Sequence, residues 1–194
     1  MDKRAFLATA AASAAAVAAP SQAAPAATRS PVLLTVTGAI GRANRGPLDP
    51  ALDQMMQKQG VRFDKGWTFD FAALAALPSV TIRPTLEYDG KAHALRGPLL
   101  SDVLAAAGVR GEQGDVLMRA VDGYAPAITL ADMRNYRFIV ATHLDGKPMP
   151  VGGLGPLWAV FDADRFPEVA ARALNERFGN CPWGLYHIEV RHPG

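Results

Sequence analysis

Few residues of this chain combine the chemistry and the spacing of a catalytic or metal-binding group. Cys181 is the only cysteine, so it has no partner for an intramolecular disulfide. Cys181 could act as a reactive thiol or as a metal ligand. A single cysteine without a partner is more typical of a small side chain that packs in the interior. The four histidines, His93, His143, His187 and His192, show neither an i, i+4 helical pairing nor close Cys/His spacing. The sequence therefore predicts no metal site.

The motifs of the common enzyme classes do not occur in the sequence. It contains no GxSxG, Walker loop, GxGxxG or HExxH motif. The stretch Gly152-Gly153-Leu154-Gly155 is typical of a turn before a strand rather than of a phosphate cradle. Asp162 and Asp164 are interpreted as part of a solvated loop rather than as an acid/base pair.

The first residues have the three-part pattern of a secretory signal. Lys3 and Arg4 precede an Ala-rich run over 5–19, and small residues at Ser21 and Ala23 fit cleavage after Ala23. The run is shorter than the roughly 20 residues that cross a bilayer. The start also resembles a degenerate twin-arginine signal, with an ordinary Sec signal as the alternative. We predict a signal peptide over 1–23, a location in the periplasm, and no membrane span after its removal.

Length and charge bound what the mature chain can be. Residues 24–32 are rich in Ala and Pro and predict a flexible lead, and residues 33–194 suffice for one domain with its own core. The full chain has 20 Lys and Arg against 18 Asp and Glu, with no run of basic residues. This pattern argues against nucleic-acid binding.

Short strands and a few helices follow one another without regular βαβ alternation. Strands are predicted over 33–40 and 79–90, on both sides of Asp122-Gly123, in a hairpin around Asp145-Gly146, and in GPLWAVF and GLYHIEVR. Helices are predicted in ALDQMMQKQGV, TFDFAALAALP, LRGPLLSDVLAAAGV and FPEVAARALNERFGN, with a further short turn that Thr129 or Asp132 would cap. This pattern indicates an α+β fold.

The order of these pieces resembles the oxidoreductase molybdopterin-binding domain shared by sulfite oxidase, plant nitrate reductase and periplasmic methionine sulfoxide reductase. The matching pieces are VTGAI, FAALAALPSVTI, LRGPLLSDVLAAAGV, MRAVDGYAPAITLADM, HLDGKPMPVGGLGPLWAV and WGLYHIEV. The resemblance implies a sulfite-oxidase-like molybdopterin-binding fold with a mixed β-sheet and short helices.

Two departures from that family concern its cofactor. Catalytic members carry a molybdenum-binding cysteine just after the strand that follows the ALxxLP helix, and the matching stretch here, TIRPTLEYDG, has none. Where the family has a Pro-Gly loop and a basic residue that cradle the pterin phosphate, this chain has FDADRFPEV, and Pro182 precedes Trp183. The expectation is therefore that no molybdenum is bound, with Cys181 as the first ligand to consider should metal be found.

Our leading hypothesis is a periplasmic binding or accessory module that uses the family's cofactor cleft for a small molecule or a partner protein. The resemblance places that cleft between the strand after the ALxxLP helix and the closing tryptophan. The predicted lining residues are Arg83, Glu87, Asp122, Tyr124 and Trp183. The alternative is a molybdopterin-dependent oxidoreductase with an altered cofactor site.

A third interpretation is a structural interaction protein. It rests on the first predicted helix, where Met55 and Met56 are adjacent. Because adjacent helical positions point in different directions, at least one of these methionines is expected to pack against the domain.

Overall fold

The computed structural model describes residues 30–192, and the predicted signal peptide and most of the lead lie outside the described residues. These residues form mainly β-structure with a few short helices, which confirms the predicted α+β class. Within this range, no helix has the length and apolar character needed to cross a membrane.

The described elements are short and follow one another closely. The strands are β1 (Val32–Gly38), β2 (Trp67–Asp70), β3 (Ser79–Ile82), β4 (Leu95–Pro98), β5 (Asp115–Ala120), β6 (Ala127–Thr129), β7 (Ile139–Ala141), β8 (His143–Leu144), β9 (Lys147–Pro148), β10 (Trp158–Val160) and β11 (Leu185–Arg191). The α-helices are α1 (Gln54–Lys58), α2 (Phe71–Ala75), α3 (Leu100–Ala106), α4 (Leu130–Asn135) and α5 (Pro167–Ala170). Short 3-10 turns cover Ala163–Arg165 and Leu174–Glu176.

The largest sheet has five strands in the order β2-β1-β11-β5-β6. At its centre β1 and β11 run parallel, with Val36 opposite Ile188, and the remaining neighbours are antiparallel. Leu34 and Val36 point into the main core, while Thr35 and Thr37 on the opposite face are also buried. That second face is covered by the segment 41–66, so the centre of the sheet is buried on both sides.

A second sheet has four strands in the order β3-β4-β8-β9, and β7 and β10 form a separate pair. β4 passes very close to β7. A Cβ atom on Gly97 would lie 1.9 Å from the backbone oxygen of Val140, so only glycine fits at this crossing. The two strand groups therefore pack with backbone against backbone.

The segment expected to form the clearest helix, 95–109, begins instead as a strand. Leu95 to Pro98 form β4, which pairs with β3 and β8, and the helix α3 covers only Leu100–Ala106. The prediction was right for the apolar stripe of α3, since Leu100, Val103 and Leu104 are buried. It was wrong for Pro98, which ends a strand rather than starting the helix.

Three other predicted elements are shorter than expected. The first residues of TFDFAALAALP form β2, after which the Asp70 carboxylate caps α2 by accepting the N–H of Ala73 at 2.7 Å. The strand predicted over 79–90 ends at Ile82. The long helix predicted over 166–180 stops after α5, where Arg177 donates to the backbone oxygens of Ala170 and Arg172.

Several predicted elements are confirmed by the structure. β5 and β6 lie on either side of the Asp122-Gly123 turn, and α4 follows with the Thr129 hydroxyl accepting the N–H of Asp132 at 2.9 Å. β8 and β9 form the hairpin around Asp145-Gly146, and β11 closes the chain. In α1, Met56 is buried and Met55 is exposed, as the adjacent positions required.

Candidate functional site: the Trp183 cavity

Four of the five predicted lining residues meet at one cavity of about 160 Å³. We call it the Trp183 cavity. Its walls relevant to binding are Glu87, Tyr88, Asp122, Tyr124, Cys181 and Trp183. It lies where the loop between β3 and β4 meets the end of β5 and the residues just before β11. Loops from the two larger sheets thus build one site.

Glu87 and Tyr88 lie at the tip of a hairpin that extends the connection between β3 and β4. Leu86 is buried in the main core and anchors this tip. Its N–H donates to the oxygen of Lys91 at 2.9 Å, and its oxygen accepts the N–H of Gly90 at 3.0 Å. The tip is therefore a hydrogen-bonded turn rather than a loose loop.

Asp122 and Tyr124 belong to the turn between β5 and β6. The Asp122 carboxylate accepts the backbone N–H of Tyr124 at 2.9 Å, an arrangement that fixes the turn. The Tyr124 hydroxyl donates to the backbone oxygen of Gly179, across the cavity rim. One tyrosine thereby ties the turn to the segment that leads into β11.

Cys181 forms the floor of the cavity and is only 4% exposed. Its backbone oxygen accepts the indole N–H of the buried Trp158 at 2.9 Å. Burial raises the pKa of the Cys181 thiol far above its ordinary range, and the Glu87 carboxylate adds to this, while a backbone hydrogen bond from Phe161 opposes it. At neutral pH the group is a protonated thiol, which is a poor nucleophile and a poor metal ligand.

Tyr88, like Cys181, is a wall residue that the sequence analysis did not assign to the cleft. Its side chain is 55% exposed, with the inner part of the ring against the cavity. Burial and the Glu87 carboxylate raise the pKa of Tyr88 to about 12, although a hydrogen bond with Trp183 lowers it. The phenol is neutral over the physiological range. Its position beside Glu87 was the only available signal.

Arg83 does not line the Trp183 cavity, unlike the four other predicted residues. Its backbone N–H donates to the Asp162 carboxylate at 3.3 Å, and Thr85 donates in the same way to Asp164 at 2.7 Å. The pKa of the Asp145 carboxyl is lowered mainly by its hydrogen bond with His93, and the guanidinium of Arg83 adds to this. Arg83 is therefore left out of the site.

Asp162 and Asp164 lie in a short turn at the surface, with Asp164 exposed and Asp162 half-buried, in agreement with the loop interpretation, and the same contacts give them a structural role. Both carboxylates accept backbone N–H groups from the residues that leave β3. Asp164 also forms an ion pair with Arg177 at 2.9 Å. This acidic pair holds the base of the Glu87–Tyr88 hairpin in place, so its role is structural.

An apolar groove adjoins the cavity and shares two of its walls. Tyr88 and Trp183 separate the two spaces, and exposed Val32, Val121 and Val151 line the groove, which measures about 520 Å³. Exposed apolar side chains gathered in one place are typical of a contact surface. The cavity therefore opens beside an apolar part of the described surface.

The possible metal ligands of the described chain are scattered. Over residues 30–192, His, Cys, Asp and Glu side chains form no group of three or more that could hold a metal ion. His187 is buried on β11 of the five-stranded sheet, and His93 lies between two carboxylates on the surface. Neither contributes to the Trp183 cavity.

Comparison with known proteins yields a likeness of fold. No protein-family model and no curated protein sequence matches this chain. Its structure is similar to the crystal structure of the sulfane dehydrogenase SoxCD from Paracoccus pantotrophus, with a TM-score of 0.55 and 12% sequence identity. The match covers 82% of this chain and 38% of that chain, so the present chain spans well under half of the SoxCD chain's length.

Proposed function

We propose that this chain is an exported ligand-binding module on a sulfite-oxidase-type fold, which binds a small molecule in the Trp183 cavity without molybdenum. The order of the sequence pieces and the likeness of fold to SoxCD support the fold assignment. The signal pattern in residues 1–23 supports export to the periplasm. Fold alone does not give function, so the proposal depends on the cavity.

One observation carries the binding proposal: residues from three separate parts of the chain converge on one concave space. Glu87, Asp122 and Trp183 are far apart in sequence, and each is held by local hydrogen bonds or by the core. Such a preformed space with a few polar groups is the usual form of a small-molecule site. At about 160 Å³ it suits a ligand smaller than a typical drug molecule.

The residues of this region do not fit a molybdenum–pterin group. In the family that this chain resembles, a cysteine just after the strand that follows the ALxxLP helix binds molybdenum, and the matching stretch here has no cysteine. The single cysteine, Cys181, lies elsewhere, on the floor of the cavity. The walls offer the carboxylates of Glu87 and Asp122 where a phosphate needs N–H donors or cations. Pro182 has no backbone N–H, and its oxygen accepts the N–H of Ala159 at 3.2 Å. These features support a module that acts without this cofactor.

Two measurements test the proposal. The first is elemental analysis of the mature protein, isolated from the periplasm of a host that makes molybdopterin. We expect no stoichiometric molybdenum. About one molybdenum per chain would instead support the molybdopterin-dependent oxidoreductase, and Cys181→Ser would then be expected to release the metal.

The second measurement is a thermal-shift screen with small metabolites on the wild type and on Trp183→Leu. We expect at least one compound to stabilise the wild type and to lose this effect in the variant, because a ligand that binds only the folded state raises its melting temperature. Leu52→Ser is the control, since Leu52 is exposed and outside the cavity. A screen in which every stabilising compound acts equally on Trp183→Leu would refute binding in this cavity.

A further inference from the structure

We propose that the Trp183 cavity selects small organic cations of the quaternary ammonium class. This inference rests on the proposed binding function and adds the chemistry of the ligand. The supporting features are the sign of the charged walls, the aromatic side chains beside them, and the volume of the space.

The charged walls of the cavity are all acidic. Glu87 and Asp122 contribute carboxylates, and no Lys, Arg or His belongs to the described lining. Other clefts of the described surface have arginine in their walls, for example Arg137, Arg177 and Arg42. The Trp183 cavity is therefore the place where a cation meets negative charge without a competing side-chain cation.

Three aromatic side chains stand beside those carboxylates. Tyr88, Tyr124 and Trp183 are 55%, 49% and 37% exposed, so each ring combines a packed part with a solvent-accessible part. Aromatic faces attract cations, and tryptophan does so most strongly. Carboxylates and aromatic rings around one small space are the arrangement that binds alkylated ammonium groups.

The Glu87 carboxylate lies near both the rim and the floor of the cavity. Burial is the main cause of the raised pKa of Tyr88 and of Cys181, and the nearby Glu87 carboxylate adds to both. Both groups are neutral, so the charges that line the cavity are the carboxylates of Glu87 and Asp122, and these would attract a bound cation.

The aromatic share of the walls favours a quaternary over a primary ammonium group. One oxygen of the Asp122 carboxylate accepts the N–H of Tyr124, and the oxygen of Gly179 accepts the hydroxyl of that residue. Beside the two carboxylates, the walls include the rings of Tyr88, Tyr124 and Trp183, which are weak hydrogen-bond acceptors. A primary ammonium needs three acceptors to replace its water, and leaving some of its N–H groups unpaired is costly. A quaternary ammonium has no N–H group to satisfy.

The volume of the cavity agrees with this class of ligand. About 160 Å³ corresponds to roughly five water molecules at ~30 Å³ each. A tetramethylammonium-type head group is of similar size. The remainder of a longer molecule would have to leave past Tyr88 and Trp183, which also border the apolar groove.

The test is calorimetric titration of the mature protein with three probes of nearly equal shape or length: choline, its neutral carbon isostere 3,3-dimethylbutan-1-ol, and ethanolamine. We expect choline to bind at least about tenfold more tightly than the neutral isostere and more tightly than ethanolamine. Equal affinity for choline and the neutral isostere would overturn the inference, because charge would then contribute nothing.

Glu87→Gln should weaken choline binding by about tenfold while leaving the melting temperature near that of the wild type. Glu112→Gln is the matched control, since Glu112 is exposed and outside the cavity, and it should bind as the wild type does. Unchanged choline affinity in Glu87→Gln would also overturn the inference.

The two proposals fail in different ways. If anionic or neutral compounds from the metabolite screen bind, and Trp183→Leu abolishes their binding, the cavity is a ligand site and only its preference for cations is wrong. If neither choline nor any screened compound depends on Trp183, both proposals are wrong. Choline binding that Trp183→Leu and Glu87→Gln both weaken supports them together.

Discussion

Two histidines, one in the five-stranded sheet and one beside the four-stranded sheet, lie in surroundings that affect their protonation differently. His187, in β11 of the five-stranded sheet, is 0% exposed, and its Nε2 lies 3.0 Å from the Thr37 hydroxyl. Its Nδ1 has no hydrogen-bond partner among residues 30–192. His93, beside the four-stranded sheet, lies between Asp145 at 2.7 Å and Asp89 at 3.0 Å.

Their pKa values move in opposite directions. Burial lowers the pKa of His187 to about 4, and the nearby Arg119 lowers it further. Hydrogen bonds to Asp145 and Asp89 raise the pKa of His93 above its ordinary value. The surroundings of His187 in the five-stranded sheet therefore disfavour the charged imidazole, whereas the two carboxylates beside His93 stabilise it.

The largest expected effect concerns glycines in the two sheets. Gly97→Ala would place a Cβ 1.9 Å from the Val140 oxygen in the middle of a crossing, and we expect a loss of more than about 3 kcal/mol in the free energy of unfolding. Gly38→Ala also meets backbone, at 2.1 Å from the Val190 oxygen, and has a φ of +83°. Because Gly38 is the last residue of β1, Gly38→Ala should lower the free energy of unfolding by less than Gly97→Ala does.

Urea denaturation measures both glycine variants. Gly46→Ala is the control, since a Cβ there meets nothing within 4 Å and should change the free energy by less than about 0.5 kcal/mol. Gly97→Ala with wild-type stability would mean that β4 and β7 do not cross as described.

The next effect is the acid sensitivity of the five-stranded sheet. The folded pKa of His187, about 4, lies below the ordinary histidine value of 6.5, so the neutral imidazole stabilises the fold above pH 6.5. This stabilisation is lost as the pH falls from 6.5 towards 4, by at most about 3 kcal/mol. Denaturation at a series of pH values should show the loss, and His187→Gln should remove most of it. An identical acid profile in the variant would contradict the assignment.

A smaller effect is expected at the junction between the two sheets. Cys181→Ala removes a buried sulfur atom that packs in the main core, and we expect a loss of about 1 kcal/mol. Because the thiol is protonated, its removal should leave ligand affinity nearly unchanged. A large loss of affinity with stability retained would instead make the thiol a direct ligand contact.

The smallest effect is the base sensitivity beside the four-stranded sheet. His93 has a raised folded pKa, so its ion pairs stabilise the fold below pH 6.5 and this contribution is lost as the pH rises through the folded pKa. The carboxylates are exposed, so the effect should be smaller than that of His187 and should weaken in salt. NMR titration of the His93 ring would show the raised pKa directly. A pKa of His93 at or below 6.5 would contradict the proposed difference between His93 and His187.

Local signals in the sequence predicted the elements that depend on local chemistry. Thr129 is a helix N-cap and Asp145-Gly146 is a turn in the structure, because both depend on bonds within a few residues. Leu95–Pro98 was misjudged because its partners lie in β3 and β8, and long-range pairing overrides the local helical pattern.

The same contrast between local signals and long-range contacts applies to the candidate site. The family resemblance pointed to Glu87, Asp122, Tyr124 and Trp183, and the structure brings them together. It could not place Cys181 on the cavity floor, since this depends on the packing of Trp158 against the segment before β11. The structural use of Asp162 likewise required knowledge of a contact with Arg83, 79 residues away.

The parallel pairing of β1 with β11 determines when this domain can form. Thr37 and His187, which meet at the centre of the sheet, are 150 residues apart. Closing so long a loop is slow, and the β1–β11 contacts that offset its entropic cost form only after the loop has closed. A chain that emerges from a ribosome or a translocation channel with its N-terminus first would present one edge of β1 unpaired until residues 185–191 arrive. Until then the unpaired edge of β1 can pair with other chains and cause aggregation. A chaperone should therefore matter more during synthesis and export of this protein than after it has folded.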